Sequence, residues 1–578
     1  MPMDYLRLTD ILPYRLHQFP KGNAFAFVRH NTIHFISPAQ AIAHIHGLTM
    51  AMLQAGIRAG EPVVLMADNN SPLWLFHDLA LLQAGAVVVP IHATATDAEI
   101  AWILRETACR YAFVDGHALS ERVPAAAIHI WHFDGPKAIP RQLTAPSREA
   151  YPKVADTDLA TIIYTSGASG VPKGVMLSHR NIVSNIKAVL GLVPIAAHHR
   201  VLSFLPLSHV FERMVSYAYM ATGACIYYPE HQGTLMRDLR LCRPQYFTAV
   251  PRVLEKYYAG IQHTMIKKPA LQQMIFRWAV RVGQAFHTGK GRSPGYTLQR
   301  LLADWLVFRR WRKALGGQVK GIMVGAAALS PPLARLFSAA GIPVREGYGL
   351  TENAPVVAFN GFGTGGYRFG TVGLPIPGLN VKIQQADADG EGEILVKGPS
   401  VMMGYYRQPE ASAETIDADG WLHTGDIGRI DPKGFLQLTD RKKDVFKISN
   451  GRYVAPQVVE RLLMASPYID NCLVAGADKA FVVALILPDF ELLQNWCHAQ
   501  GIHWTAPQFM ALHPKVIQFM QSQADGCCLC LPAYQRVRKI ILVHEPWTDT
   551  GGQLTPTMKL RRGFLLQQYQ KDIAALYP

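Results

Sequence analysis

From Thr165 to Gly174 the chain reads TSGASGVPKG. Gly167, Gly170 and Gly174 let the backbone turn tightly and bring N–H groups close to an anion. Thr165, Ser166 and Ser169 add hydroxyl donors, and Lys173 adds a positive charge, so every component suits a polyphosphate. The order Pro-Lys-Gly departs from the Walker A loop, where Gly-Lys-Ser/Thr opens a helix, and argues against a P-loop NTPase. Alone, such a loop could be a mere turn. Further on stand more polar motifs: Glu352, closing EGYGLTE (346–352); Asp426, in GWLHTGDIG (420–428); and Arg441 and Lys447, in DRKKDVFKISNG (440–451). Near the C-terminus Lys559, in PTMKL (556–560), offers a compact ammonium suited to charge that develops during a reaction. As isolated residues these would be ordinary loop charges.

The elements that must position them follow from pattern. Ala160–Tyr164 (ATIIY) reads as a buried strand running into the Gly-rich loop, and Ser178–Leu190 has helical periodicity. The first ~150 residues alternate helical patterns with apolar runs such as Pro62–Met66 and Ala86–Pro90, the rhythm of βα units. Strand-like runs recur at Val201–Leu205, Tyr246–Val250 and Val319–Val324. Near Gly370 the character changes to short alternating strands rich in Gly and Pro, predicting a β-rich subdomain over about 370–438. The charged knot Asp440–Asp444 (DRKKD) then separates two well-patterned parts. The fold expected is α/β: residues 1–440 form a large N-terminal domain of βα-layered sheets, and 441–578 form a small mobile α+β domain, hinged near Lys443.

At 578 residues the chain exceeds one ordinary core. It shows neither a secretory signal nor an apolar run long enough to span a bilayer, so a cytoplasmic or membrane-peripheral protein is expected. Net charge is +15, which favours acidic partners without choosing among them. Residues 261–320 hold twelve Lys or Arg against one acid, Asp304, with Met274, Ile275, Trp278, Val282 and Phe286 at helical spacing. This segment is either a solvated basic face or an interfacial helix resting on anionic lipid. Cys527, Cys528 and Cys530 lack a second pair or His spacing for zinc and read as incidental thiols.

Taken in order, the five motifs resemble those of the adenylate-forming superfamily: acyl-CoA synthetases, luciferases and peptide-synthetase adenylation domains. Phe204–Met214 (FLPLSHVFERM) and Phe247–Glu255 (FTAVPRVLE) resemble long-chain fatty acyl-CoA synthetases most closely. The resemblance implies a ligase that forms an acyl-adenylate from ATP and a fatty acid, then passes the acyl group to coenzyme A. It implies Mg²⁺ held by Thr165 and Glu352, with phosphates on Thr165, Ser166, Gly167, Ser169, Gly170 and Lys173. Tyr348 would pack on adenine, flanked by Gly325, Ala326–Ala328, Gly349 and Thr351. Asp426 would take the ribose hydroxyls, with Arg441 assisting. Lys559 would act in adenylation, His209 would gate the acyl site beside Glu212, and Lys447 would face the site after the small domain turns. Partners are then the fatty acid, ATP and coenzyme A as small molecules, with peripheral contact to anionic membrane, rather than nucleic acid.

Two residues depart from the pattern: Ala168 stands where the loop usually has Thr or Ser, and Asn450 where Gly is usual. A lost neutral hydrogen bond costs roughly 0.5–1.5 kcal/mol, enough to alter affinity and too little to abolish activity. Two alternatives stay open. One is an acyl-AMP ligase that loads a carrier protein, or a ligase for medium-chain or aryl acids. The other is a non-catalytic lipid- or nucleotide-binding relative.

Overall fold

The computed structural model describes residues 5–577, except residue 21 and residues 125–127, 141–150, 166–171, 288–292, 387–389, 442–443, 450–451, 549–550 and 556–558. Of Asp440 and Arg441 it describes the backbone. Val- and Ile-rich runs that bury both faces form the parallel strands Pro62–Ala67, Val87–His92 and Tyr111–Val114. Leu159–Thr165 extends this sheet beside Val87–His92, and Lys173–Ser178 returns antiparallel to it. The sequence reading passes over that returning strand. The two strands therefore form a β-hairpin, and Lys173 sits opposite Thr165 at the end next to the connecting segment. Ser178 then caps the helix His179–Leu190: its hydroxyl accepts from Asn181 N at 3.2 Å, and Asn181 Oδ1 accepts from Ser178 N at 2.8 Å.

A second large sheet has parallel strands Arg200–Leu202, Cys225–Tyr228, Tyr246–Ala249, Gly321–Val324 and Val344–Gly349. Four antiparallel strands, Asn380–Gln384, Gly392–Lys397, Leu422–Ile430 and Leu436–Arg441, make a third sheet. Together these form a large N-terminal α/β domain. The smaller C-terminal domain packs Ile469–Ala475, Val482–Pro488 and Val537–Leu542 against helices such as Pro456–Leu463 and Pro514–Cys527. Its two apolar clusters draw only on residues from Phe446 onward.

The basic segment is an assembly of helices: Pro251–Ile266, Ala270–Gln284, Pro294–Ala303 and Arg309–Ala314. Phe276, Ala279, Val282 and Phe286 face the core, whereas Met274, expected on the same stripe, is 55% exposed. The stripe divides because the start of Ala270–Gln284 projects past the core that its later turns pack against.

One buried cation joins three elements. Arg213, on the helix Val210–Ala221, donates from Nε and Nη2 to Asp78 at 3.0 and 2.5 Å and from Nη1 to Thr161 Oγ1 at 2.8 Å. Tyr217 also donates to Asp78, and Thr161 donates onward to Val88 O at 2.6 Å. Arg213 and Asp78 are 1% and 0% exposed. Removing one partner of such a pair strands the other charge in the core. Asp78→Ala is therefore expected to cost about 3–5 kcal/mol, seen as a lowered thermal midpoint. An unchanged midpoint would contradict this role for the pair.

Candidate active site

Fourteen of the sequence-selected residues line one cleft between the two domains: Thr165, Lys173, His209, Glu212, Gly325, Ala326–Ala328, Tyr348, Gly349, Thr351, Glu352, Asp426 and Lys559. At the hairpin end, Lys173 Nζ lies 4.7 Å from the centre of the Tyr405 ring, and the Tyr405 hydroxyl donates to Glu352 Oε1 at 3.0 Å. Tyr405 pairs with Val175 in the hairpin sheet, so three segments distant in sequence meet here. Thr165 and Glu352 line the same end of the cleft. A hydroxyl and a carboxylate fit Mg²⁺, a hard cation that keeps several waters and takes phosphate oxygens as further ligands.

Further along, the Tyr348 hydroxyl donates to Asp426 Oδ2 at 2.6 Å, and both residues are buried at 7% exposure. Asp426 pairs with Arg441 across adjacent antiparallel strands. Glycine is required at 349, where a Cβ would come 2.3 Å from the Pro355 carbonyl oxygen. At Gly325 a Cβ would meet Phe211 at 3.3 Å, and Ala326 adopts φ 72° in the turn that follows. Small side chains here leave room for a flat group against the Tyr348 strand.

His209 precedes the helix Val210–Ala221, and its ring centre lies 6.1 Å from that of His92. Burial, then His92, then Lys559 push the His209 pKa down to about 3, and burial takes His92 to about 4. Both rings are neutral near pH 7, and Lys559 lies within electrostatic reach of His209. Lys559 is held by a reciprocal pair with Thr555: its N–H donates to Thr555 Oγ1 at 3.0 Å, and its carbonyl accepts from Thr555 N at 2.7 Å.

Polar contacts between the domains accompany this placement. Arg252 donates to the Asp470 carbonyl and to its Oδ1, each at 2.6 Å. His263 lies 2.8 Å from Glu491 and 3.2 Å from Asp489, and Arg561 reaches Glu99 at 3.5 Å.

Lys447 does not join the cleft lining; it is exposed, with its ammonium 5.8 Å from the Tyr453 ring centre. Ser166, Gly167, Ala168, Ser169, Gly170, Lys443 and Asn450 lie outside the described residues, as does the Arg441 side chain. Sequence reasoning missed Tyr405, His92 and the interdomain contacts. Their partners lie up to 462 positions away, as for Arg561 and Glu99, and no local pattern marks them.

A cleft that joins a Gly-rich hairpin, a buried tyrosine–carboxylate pair and a lysine from a second domain defines a nucleotide-binding enzyme. Residues 16–406 match the model of the AMP-binding enzyme family, and residues 443–578 match that of the AMP-binding enzyme C-terminal domain. The chain belongs to the AMP-binding enzyme family. It is 33% identical over 566 residues to the long-chain-fatty-acid–CoA ligase FadD15 of Mycobacterium tuberculosis, covering 94% of this chain and 92% of the relative. With long-chain-fatty-acid–CoA ligase 1 of Homo sapiens it shares 31% identity, covering 91% of this chain and 80% of that one. In fold it resembles the A domain of a carboxylic acid reductase from Segniliparus rugosus in complex with AMP and a co-purified carboxylic acid. That match has TM-score 0.76 and 21% identity, covering 99% of this chain and 94% of the other.

The histidines fix the sign of the acid response. An unfolded His209 protonates below its ordinary 6.5, whereas the folded one stays neutral down to about 3. The unfolded state thus binds more protons as pH falls through that window, and the fold loses stability. The thermal midpoint should drop between pH 6.5 and 4, and His209→Gln should lessen the drop; an equal drop in both proteins would contradict it.

Proposed function

We propose that the protein is an AMP-forming ligase that activates a fatty acid with ATP and transfers the acyl group to coenzyme A. The observation that carries this reading is the meeting of Thr165, Glu352, Asp426 and Lys559 in one cleft of a chain whose relatives are named long-chain-fatty-acid–CoA ligases. Long-chain acids are the substrate class we infer. Val210, Phe211, Val250, Tyr258, Leu333 and Leu336 supply an apolar lining beyond His209.

In the first step a carboxylate oxygen attacks the α-phosphorus of ATP. The bond to the β-phosphate oxygen breaks, and pyrophosphate leaves as the acyl-adenylate forms. Lys173 and the hairpin hold the β- and γ-phosphates; Thr165 and Glu352 would hold Mg²⁺, which offsets phosphate charge when bound. Asp426, oriented by Tyr348, takes the ribose hydroxyls, with Arg441 beside it. Lys559 stabilises charge on the carboxylate and α-phosphate, and neutral His209 shapes the entrance to the acyl limb without competing for the carboxylate.

In the second step the coenzyme A thiol attacks the acyl carbonyl, loses its proton, and AMP leaves. We place the domain division at residues 440–441, with a hinge near residue 443; rotation there withdraws Lys559 and turns the face bearing Lys447 toward the cleft. The contacts that must part are cheap. Partly exposed ion pairs such as Arg561–Glu99 contribute about 0–1 kcal/mol each.

Pyrophosphate release should be measured across acids from acetate to oleate, with coenzyme A, with a holo-carrier protein, and with neither. Release that peaks with long chains, and a thioester on free coenzyme A, is expected. A thioester on the carrier alone would favour carrier loading, and no release with any acid would sink the enzyme reading. Lys559→Ala should lower adenylation on the order of 10²-fold or more, while thioester formation from supplied acyl-adenylate survives. Equal loss in both half-reactions would contradict the rotating domain.

We also infer a cytoplasmic enzyme that touches anionic membrane through its basic helices. Ile266, Leu271, Met274, Leu298, Leu301, Leu302 and Trp305 are 44–65% exposed, among exposed cations such as Arg277, Arg309 and Arg310. The Tyr296 hydroxyl donates to Val282 O, tying the end of Ala270–Gln284 to the start of Pro294–Ala303. Among the described residues no helix is long and apolar enough to cross a membrane. Apolar side chains ringed by basic ones suit the interface of a negatively charged bilayer. The protein should sediment with phosphatidylserine-containing vesicles, and less so at high salt or after Leu301→Ser with Trp305→Ser. Binding indifferent to lipid charge, salt and both substitutions would exclude this surface.

A further inference from the structure

Two carboxyl groups along the apolar limb, Glu212 and Glu255, have no part in the mechanism above. Glu212 is fully buried in the first turn of Val210–Ala221 and lines the cleft beside Phe211 and Val250. The other acid along this limb, Glu255, has the guanidinium of Arg252 at 3.9 Å. Among the described residues no cation offsets Glu212. Its Oε2 accepts from the Thr248 hydroxyl, the Ser203 hydroxyl is nearby, and its Oε1 has no hydrogen-bond partner among the described residues. The surroundings are polar and uncharged. Tyr219, on the same helix, and Tyr228, on the strand Cys225–Tyr228, lie within electrostatic reach, and burial keeps both phenols protonated. The hydroxyls of Tyr228 and Ser216 are likewise buried without partners among the described residues.

A carboxylate in this setting would be an anion held by hydroxyls alone, without a cation among the described residues, which burial makes costly. Burial raises the Glu212 pKa from 4.5 to about 7, with hydrogen bonds from Ser203 and Thr248 acting in the opposite direction. Near neutral pH the group is therefore poised between a proton-bearing and a charged form.

We propose that Glu212 is a specificity-determining residue of the acyl limb: carrying its proton it lets an apolar chain lie against the wall, and on losing it the limb repels fatty carboxylates. The proposal rests on the acyl-ligase reading. It concerns acyl binding alone, since Glu212 lies outside the phosphate and ribose contacts.

The fold gives an independent check. Because the folded pKa is raised, the folded state keeps a proton that the unfolded state has lost above about 4.5. The group's contribution therefore weakens the fold as pH rises toward 7. Glu212→Gln should gain in thermal midpoint relative to wild type as pH rises from 5 to 8.

The decisive measurement is KM for a long-chain acid from pH 6 to 8.5, alongside KM for ATP and kcat. Comparison with Glu212→Gln cancels the titration of the substrate and of other groups. The ratio of wild-type to variant KM for the acid should rise roughly tenfold across that range, the size of a one-unit coupling. The ratios for ATP and for kcat should stay flat. Thr248→Val removes a hydrogen bond that favours the charged form and should move the inflection to higher pH. A KM ratio for the acid that is constant with pH, or a Thr248→Val inflection displaced to lower pH, overturns the proposal. Absence of pyrophosphate release from wild type with every acid would instead refute the ligase reading and leave the midpoint test of Glu212 standing.

Discussion

The buried guanidinium of Arg213 is the constraint on which the site's geometry depends. It binds Asp78 on the helix Pro72–Gln83 and Thr161 on the first strand of the phosphate hairpin, while its own helix follows His209 and carries Glu212. Thr161 relays the connection to the backbone of Val88 on the neighbouring strand. The hairpin that presents Thr165 and Lys173 is thereby fixed relative to the helix that walls the acyl limb. Planar, five-donor geometry is what lets one side chain reach two elements and its own helix at once. A lysine would supply the charge without the fork.

Contacts between the domains are built on the opposite principle. Arg252–Asp470, His263–Asp489 and Arg561–Glu99 join side chains that keep access to water. Water screens such pairs and competes for their partners, so they orient the small domain without locking it. Within the C-terminal domain the arrangement tightens again: Arg562 donates to both oxygens of Glu460 at 2.8 and 2.7 Å, fastening the chain just past Lys559 to the helix Pro456–Leu463. Lys559 thus belongs to a firmly packed unit whose docking is weak. That combination suits a lysine needed in one half-reaction and absent from the other.

Much of the fold was legible because the buried strands write themselves as apolar runs. Ala160–Tyr164 became Leu159–Thr165, and Tyr246–Val250 became Tyr246–Ala249. The strand Lys173–Ser178 was not legible, since its burial depends on pairing with Leu159–Thr165, and a Gly beside a Lys signals a turn more readily. The same limit applies to the site. Glu352 and Asp426 stood in ordered motifs, but Tyr405, which links Lys173 to Glu352, is set by the pairing of Gly404–Tyr405 with the hairpin. Met274 shows the converse: helical spacing was right, yet the helix runs past the core it was expected to cover, and the side chain emerges into solvent.

Charge is distributed unevenly along the cleft, and the unevenness has a physical consequence. Lys173, Glu352, Asp426 and Lys559 gather where phosphates, ribose and the reacting carboxylate would lie. Past Lys559 the titratable groups are pressed toward neutrality: His92 and His209 lose their protons and Glu212 retains its own more firmly, in each case chiefly because burial disfavours the charged form. An apolar wall therefore does more than offer contact to a hydrocarbon chain. By excluding water it sets the protonation of the polar groups embedded in it, as the lowered pKa values of His92 and His209 and the raised one of Glu212 show.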